Sequence, residues 1–317
     1  MYSIGIDLGG TNIAVGVVDQ NGRILAKDSV KTMSKRHYSL IVEDMAGLVL
    51  AVMQKTGLSL SDLSGVGVGA PGSVDAASGT VLYANNLGFV NTPLGPELQK
   101  HIPLAVRVSN DANCAVLGET VAGAATGKSN VVMITLGTGV GGGVVIGGRL
   151  YEGEHSAGAE LGHNVLVVDG ALCTCGRRGC WEAYSSATGL IRMTRQAMAK
   201  HSDSLMHELC GYSEERIDGK TAFDAARAGD KAGADVVSEY VKYLAEGIID
   251  MVNIFRPEIV LVGGGICKEG DFLLGPVREY VRSYAYASGY VPCPKIEAAT
   301  LGNDAGIIGA AMLILRE

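Results

Sequence analysis

The sequence is poor in aromatic residues, in proline and in positive charge. Aromatic side chains make up 5% of its 317 residues, and proline occurs 8 times. Lys and Arg together number 26 against 33 Asp and Glu, which leaves a formal net charge of −7. This balance argues against nucleic acid or an anionic membrane as a partner, because both are recognised through basic patches.

Long apolar runs and export signals are also missing. No stretch approaches the ~18 uncharged apolar residues of a membrane-spanning helix. The first residues, MYSIGIDLGG, run directly into a strand-like segment, with no basic region, apolar stretch and cleavage site. We therefore expect no signal peptide, no membrane association and a cytoplasmic protein.

Glycine is the residue in excess, with 45 copies. The composition is otherwise 47% hydrophobic and 19% charged, which is typical of a folded globular protein. The chain is long for one hydrophobic core, so its length predicts two domains. Glycine at this density indicates sharp turns and places where the backbone approaches a ligand closely.

Strand-like and helix-like segments alternate along the chain, which predicts an α/β architecture. Three short strands joined by turns come first, and a helix is predicted over 38–55, ending at Gly57. Further helices are predicted over 112–122, 183–200, 222–228, 234–253, 273–284 and 305–315.

One pattern occurs twice. Residues 6–18 and residues 135–146 each read as a strand, a Gly/Thr turn and a returning strand. One such hairpin in each half predicts a duplicated fold with a cleft between the halves.

The turns of these two hairpins could hold phosphate groups. Backbone N–H groups can surround phosphate oxygens only where no side chain blocks the approach, and both turns are rich in glycine. Asp7 adds a carboxylate for hydrated Mg²⁺. Ordinary β-hairpin turns are the alternative, since neither turn matches the GxxxxGK[ST] pattern. A third glycine run, 263–265, follows a strand and could border an adenosine.

Asn110 and Asp111 lie between a predicted strand and a predicted helix. A carboxylate there could accept the proton of an attacking hydroxyl, as phosphoryl transfer requires. Asn and Asp are also preferred at helix N-termini, so capping is the competing interpretation.

A zinc site is predicted by three closely spaced cysteines and a histidine upstream of them. His163, Cys173, Cys175 and Cys180 would make a Cys₃His site, which is the closed, structural type. Free buried cysteines are the alternative. Glu160 and Glu182 flank the set, so a metal would hold several polar side chains close together.

Taken together, these motifs resemble the ROK family of the actin-like ATPase superfamily, and most of all its bacterial glucokinases. The likeness covers essentially the whole chain. It implies a duplicated α/β, ribonuclease H-like fold with a small domain over 1–115 plus 303–317, and a large domain over 116–302 that carries the zinc loop. It also implies ATP-dependent phosphorylation of glucose at the 6-hydroxyl and a homodimer or homotetramer.

The resemblance assigns a role to each matching residue. Asp111 is similar to the family's catalytic base. Zinc would be bound by the Cys₃His set, and Mg²⁺ would be organised by Asp7. The implied sugar ligands are Gly72, Asn86, Asn110, Asp111, Glu160, His163 and Glu182. The implied ATP-binding residues are Asp7, Gly9, Gly10, Thr11, Asn12, Gly137, Thr138, Gly139, Gly264 and Gly265.

The chain departs from the family pattern at three positions. Asn12 stands where many relatives carry Lys, Phe89 where many glucokinases carry Trp, and Leu161 where Ile is frequent. Another hexose or an N-acetylhexosamine is an alternative substrate. A sugar-sensing repressor is a remote alternative, because such relatives carry a helix-turn-helix segment before the first phosphate loop, and only six residues precede Asp7 here.

Overall fold

The structure, a computed structural model, describes residues 1–315. The strands are β1 (Tyr2–Leu8), β2 (Asn12–Asp19), β3 (Ile24–Lys31), β4 (Leu63–Ala70), β5 (Ser73–Asp75), β6 (Thr80–Ala84), β7 (Phe89–Thr92), β8 (Val106–Asn110), β9 (Val131–Leu136), β10 (Val140–Ile146), β11 (Arg149–Leu150), β12 (Ile259–Gly264) and β13 (Lys295–Ala298). The helices are α1 (Tyr38–Thr56), α2 (Leu94–His101), α3 (Asp111–Ala122), α4 (Glu182–Ser185), α5 (Ala187–Met198), α6 (Met206–Leu209), α7 (Thr221–Arg227), α8 (Lys231–Phe255), α9 (Asp271–Tyr284) and α10 (Asp304–Leu315).

The first sheet has the strand order β3-β2-β1-β4-β8. Its first three strands run antiparallel, and β1, β4 and β8 run parallel. The predicted turn between β2 and β3 is confirmed, because Gly22 N–H donates to the carbonyl of Asp19 at 3.0 Å. Helix α1 begins at Tyr38 and ends against Gly57 in the left-handed conformation, as predicted. Parallel strands place their carboxyl ends at one edge of the sheet, so loops from different parts of the chain meet there.

Helix α10 packs directly on this sheet and on α3. The approach is so close that a Cβ at Gly67 in β4 would lie 1.7 Å from the carbonyl oxygen of Ala310. A Cβ at Gly309 would lie 1.6 Å from the carbonyl oxygen of Cys114 in α3. Glycine is therefore required at both contacts.

The second five-stranded sheet has the order β11-β10-β9-β12-β13, with β12 and β13 parallel. The 25-residue helix α8 packs against α4, α5, α7 and α9. The single tryptophan, Trp181, is fully buried, and its indole N–H donates to the carbonyl of Tyr243 in α8 at 3.1 Å. A Cβ at Gly247 would lie 2.0 Å from the indole ring, so this glycine makes room for it.

Several features differ from the predicted elements, among them helix α2, which was not predicted. The helix expected over 183–200 is broken at Ser186, whose hydroxyl accepts from Gly189 N–H at 3.1 Å and starts α5 as a new helix. The small sheet β5-β6-β7 was not predicted. Its strands have only three to five residues each, which is too short for a clear alternation of apolar and polar positions.

The chain forms two compact units. The first contains 1–131, 143–159 and the described residues from Ala299 onward, and the second contains 132–142 and 160–298. The domain ranges expected from the sequence stay a prediction, and their last two residues lie outside the described part of the chain. Among the described residues, no helix is both long and apolar enough to cross a membrane.

Candidate active site

The parallel strands of the first unit bring several predicted site residues to one edge of the sheet. Asp7 near the end of β1 pairs with Gly69 in β4, and Gly69 pairs with Ser109 in β8. Gly72 follows β4, and Asp111 follows β8. Residues from three distant parts of the chain therefore share one edge because the strands that carry them run in one direction.

Asn110 and Asp111 have different structural roles. Asn110 is the N-cap of α3, since its side-chain oxygen accepts from the N–H groups of Ala112 at 2.8 Å and Asn113 at 3.3 Å. Its amide also donates to the carbonyl of Gly72 at 3.0 Å. Asp111 is the first residue of the helix, and its Oδ1 accepts from Ala112 N–H at 2.8 Å. Capping is therefore explained by Asn110, which leaves Asp111 open to a chemical role.

The Asp7 carboxyl lies in a poorly solvated position. Burial raises the pKa of Asp7 to about 6, and the nearby charge of Asp111 adds to the effect. Gly306 in α10 makes room for this carboxyl, because a Cβ there would lie 2.7 Å from its Cγ. A carboxylate short of solvent and beside a second acidic group is the chemistry that a divalent cation compensates. The Asp7 carboxylate is therefore a suitable ligand for the predicted Mg²⁺.

The first glycine turn is tight and carries exposed donors. Gly9 N–H donates to the carbonyl of Asn12 at 2.9 Å, which closes the turn, and Thr11 and Asn12 are exposed. A Cβ at Gly10 would lie 3.3 Å from the amide nitrogen of Asn86, so the turn lies against that predicted sugar ligand.

Phe89, which stands where many glucokinases carry Trp, does not lie at the surface of the first glycine turn. Phe89 is buried in the hydrophobic core, where its ring meets Tyr38 edge-on with 6.5 Å between centroids.

The second glycine turn borders a cavity of about 370 Å³ within the second unit. Gly137, Thr138 and Gly265 line this cavity, as the prediction of an ATP site requires. A Cβ at Gly137 or Gly265 would meet no atom within 4 Å, so the space beside both is open to a ligand. The remaining lining residues are Leu136, Ala187, Asp218, Gly219, Lys220, Ile266, Lys268 and Glu269.

Gly264 is required by the protein's own backbone, and Gly139 lies close to a side chain. A Cβ at Gly139 would lie 2.3 Å from a carboxylate oxygen of Glu182. Gly264 has φ of +91°, and a Cβ there would lie 2.3 Å from the carbonyl oxygen of Leu136. Gly264 therefore has a structural reason to be glycine, whatever it binds.

Sequence reasoning missed the charged residues of this cavity. Lys220 and Lys268 supply positive charge, and Glu269 is held in an ion pair with Arg227. Arg227 also lies over the ring of Phe272, 4.7 Å from its centroid. These residues come from α7, from α9 and from the turns before them, and no spacing in the sequence connects them. Only the segment Asp218-Gly-Lys220, a turn that carries a lysine directly before a helix, could have indicated part of this cavity from the sequence.

The predicted zinc ligands lie together. The Nδ1 or Nε2 atom of His163 and the Sγ atoms of Cys173, Cys175 and Cys180 all lie within 4.8 Å of one another. His163 Nδ1 is 3.7 Å from Cys173 Sγ, so Nδ1 is the nitrogen on the cysteine side. Three sulfurs and one imidazole nitrogen at this separation fit a tetrahedral zinc ion.

Glu182 connects this cluster to the second glycine turn. One of its carboxylate oxygens accepts from Val140 N–H at 3.0 Å, and the other accepts from the Thr174 hydroxyl at 2.7 Å. Desolvation raises the pKa of Glu160, an effect that His163 opposes and Glu182 reinforces. The predicted sugar ligands of the second unit therefore share one electrostatic environment.

The comparisons with known proteins decide the family. The ROK family model matches residues 3–317. The chain belongs to the ROK family. A glucokinase of Thermotoga maritima is 42% identical over 312 residues, which cover 98% of this chain and 96% of that protein. A glucokinase of Streptomyces coelicolor is 38% identical over 314 residues, with 98% and 96% covered.

The same family provides a solved structure with ligands. The crystal structure of a ROK family glucokinase from Streptomyces griseus in complex with glucose and AMPPNP superposes with a TM-score of 0.84. It is 38% identical to this chain, and all of both chains is covered. The ROK resemblance and the actin-like α/β fold predicted from the sequence are thereby confirmed. The roles of individual site residues stay predictions.

Proposed function

We propose that this ROK protein is an ATP-dependent glucose kinase that phosphorylates the 6-hydroxyl. The observation that carries the proposal is the similarity over the full chain to a glucokinase crystallised with glucose and an ATP analogue. Three features of the structure support the proposal: a carboxylate after a strand end, an open glycine-lined cavity and a set of polar side chains beside a Cys₃His cluster.

In this proposal Asp111 is the general base. It accepts the proton of the sugar 6-hydroxyl while that oxygen attacks the γ-phosphorus in line. Asn110, fixed by its two helix N–H donors and by Gly72, holds the strand end in place beside it. Mg²⁺, when bound, would neutralise charge on the phosphates, and Asp7 is the residue that would organise it.

ATP would be held by backbone donors in both glycine turns. Thr11 and Thr138 add hydroxyls, and the cavity beside Gly137 and Gly265 has the volume for a nucleoside. The lysines of that cavity, Lys220 and Lys268, are added to the predicted ATP ligands. We also propose, as the sequence predicts, that the ATP site includes the turn residues Gly9, Gly10, Asn12, Gly139 and Gly264.

The sugar would be recognised by carboxylate, amide and imidazole side chains. We propose Asn86, Asn110, Glu160, His163 and Glu182 as ligands of its hydroxyls. Carboxylates and amides are suited to this because they can accept or exchange several hydrogen bonds with neighbouring hydroxyls.

Zinc would be structural in this protein. His163, Cys173, Cys175 and Cys180 would complete its coordination and leave no open position for water. His163 would bind through Nδ1, so that its Nε2–H stays available for a sugar oxygen. A homodimer or homotetramer, as the family suggests, completes the proposal.

A coupled assay of ADP release tests the function. Glucose, mannose, fructose, allose, N-acetylglucosamine and N-acetylmannosamine are compared at equal ATP concentration. We expect the highest kcat/KM for glucose, and nuclear magnetic resonance of the product should place the phosphate on the 6-oxygen. A higher kcat/KM for an N-acetylhexosamine would contradict the sugar assignment, and no turnover of any hexose would contradict the kinase.

A further inference from the structure

A buried hydroxyl lies directly before Asn110 and Asp111. Ser109 is 1% exposed, and its Oγ lies 2.5 Å from Oε1 of Glu152. The same Oγ accepts from the amide of Asn113 at 3.5 Å. Because an ionised carboxylate can only accept, the Ser109 hydroxyl must be the donor to Glu152. Such O–H···O⁻ bonds are short and stronger than bonds between neutral groups.

Glu152 is itself held in place. Its carbonyl accepts from Gly158 N–H at 2.7 Å, and the Ser156 hydroxyl of the same segment accepts from Ala76 N–H at 3.3 Å. His155 and Ser156 have φ of 55° and 54°, in the left-handed region that L-residues rarely occupy. Backbone in this region persists only where surrounding contacts hold it. Hydrogen bonds therefore connect the segment that carries Glu152 to itself and to Ala76.

The carboxylate of Glu152 lies in the same neighbourhood as the two acidic residues of the proposed site. Cys114, which is fully buried in the first turns of α3, has a raised pKa. Burial is the main cause, and the charges of Asp7, Asp111 and Glu152 all add to it. The charges of three carboxylates from different parts of the chain therefore act on one thiol.

Building on the proposed function, we infer that Glu152 is a positioning residue for phosphoryl transfer. Through Ser109 it fixes the end of β8, from which Asp111 extends. Asn110 holds the same strand end through Gly72 and the helix N-terminus. Displacement of a reacting group by about 1 Å can cost a factor of ~10² in rate, so a strand end fixed at two points favours turnover.

Two conservative substitutions of Glu152 distinguish the effect of side-chain length from the effect of charge. Glu152→Gln keeps an acceptor oxygen at the same distance but loses the charge, whereas Glu152→Asp keeps the charge and is one methylene too short. Positioning predicts that the Gln variant retains most of kcat. The Asp and Ala variants should lose roughly ten-fold in kcat, with the KM for ATP unchanged. Glu154→Ala is the matched control, because Glu154 lies in the same segment with its side chain 90% exposed.

A double-mutant cycle tests whether Ser109 transmits the effect. Ser109→Ala should lower kcat as much as Glu152→Ala does, and the double variant should be no slower than the slower single variant. Thermal midpoints of all variants show whether the protein remains folded at the assay temperature. If the Ala variants do not fold, the Gln and Asp variants alone decide.

Three results would overturn the inference: an Asp variant faster than the Gln variant, wild-type kcat in Glu152→Ala, or losses that multiply in the double variant. Each variant is assayed on the hexose that the wild type turns over fastest. A wild type that prefers another hexose would therefore contradict the proposed substrate without touching the result for Glu152.

Discussion

At the residue scale, substitutions of Asp111 and of its neighbour Asn110 are expected to have different effects on kcat and on stability. Asp111→Asn keeps the side-chain oxygen that accepts from Ala112 N–H but removes the base. We expect kcat to fall by at least ~10²-fold while the protein remains folded at the assay temperature. Asn110→Ala should lower the stability by about 1 kcal/mol or more, because it removes a helix cap, and should also raise the KM for glucose, because Asn110 is a proposed sugar ligand. Steady-state kinetics and thermal denaturation of both variants measure this, and near-normal kcat in Asp111→Asn would refute the base.

Asp7 makes a prediction about pH. Its folded pKa of about 6 lies above its ordinary value of 3.8. Between these values the unfolded chain releases the proton while the folded chain keeps it, so stability falls as the pH rises from about 4 to 6 and stays lower above 6. The penalty is of the order of 3 kcal/mol, from ~1.4 kcal/mol per pKa unit.

Asp7→Asn should therefore raise the thermal midpoint of the ligand-free protein at pH 7.5 while abolishing turnover. The difference from the wild type should shrink as the pH approaches 4. Asp28→Asn is the control with the opposite sign, because hydrogen bonds and the charge of Lys55 lower the pKa of Asp28. A less stable Asp7→Asn protein at pH 7.5 would show that the carboxylate is not destabilising.

At the scale of elements, the glycine turns can be tested where the protein itself does not need glycine. Gly137→Val places a side chain in the open cavity, so the KM for ATP should rise roughly ten-fold or more, equivalent to about 1.4 kcal/mol. The KM for glucose and the thermal midpoint should stay close to wild type. Gly47→Val in α1, also in open space, is the control. Unchanged ATP kinetics would remove this turn from the ATP site.

The zinc loop is the second element with a separable role. Purified protein should contain about one zinc per chain by elemental analysis. Cys175→Ser, or strong chelation, should raise the KM for glucose well before that for ATP, because the loop carries Glu182 and His163. Cys293→Ser, outside the cluster, should change neither. Fully active enzyme without zinc would contradict the metal site.

The sequence predicted those features well that have a long or dense residue pattern. It predicted those features poorly that depend on contacts between distant residues or on a single side chain. Helix α1 carries its own end signal in Gly57, and the Cys₃His set is dense enough to recognise without a structure. The break at Ser186 depends on one hydroxyl that could equally sit inside a helix. Lys220 and Lys268 line the same cavity only because of how the chain packs, and nothing in the sequence connects one with the other.

At the scale of the whole molecule, the first unit is assembled from three separate stretches of chain. Its C-terminal helix α10 packs against β4, against β1, which carries Asp7, and against α3, which begins at Asp111. Gly306 leaves room for the Asp7 carboxyl, and Gly309 meets the backbone of Cys114. The last helix therefore supports the same carboxylates that the first strands position.

Gly309→Ala tests this assembly. Its Cβ would lie 1.6 Å from the carbonyl oxygen of Cys114, so α10 and α3 must separate. We expect a loss of about 1–3 kcal/mol, as for overpacked cores, seen as a lower thermal midpoint and a lower kcat. Gly275→Ala in α9 is the matched control: its Cβ meets no atom within 4 Å, and an added methyl in a helix should stabilise by about 0.5–1 kcal/mol. Equal thermal midpoints for the two variants would show that the contact of α10 with α3 tolerates a side chain, and that the first unit does not depend on it.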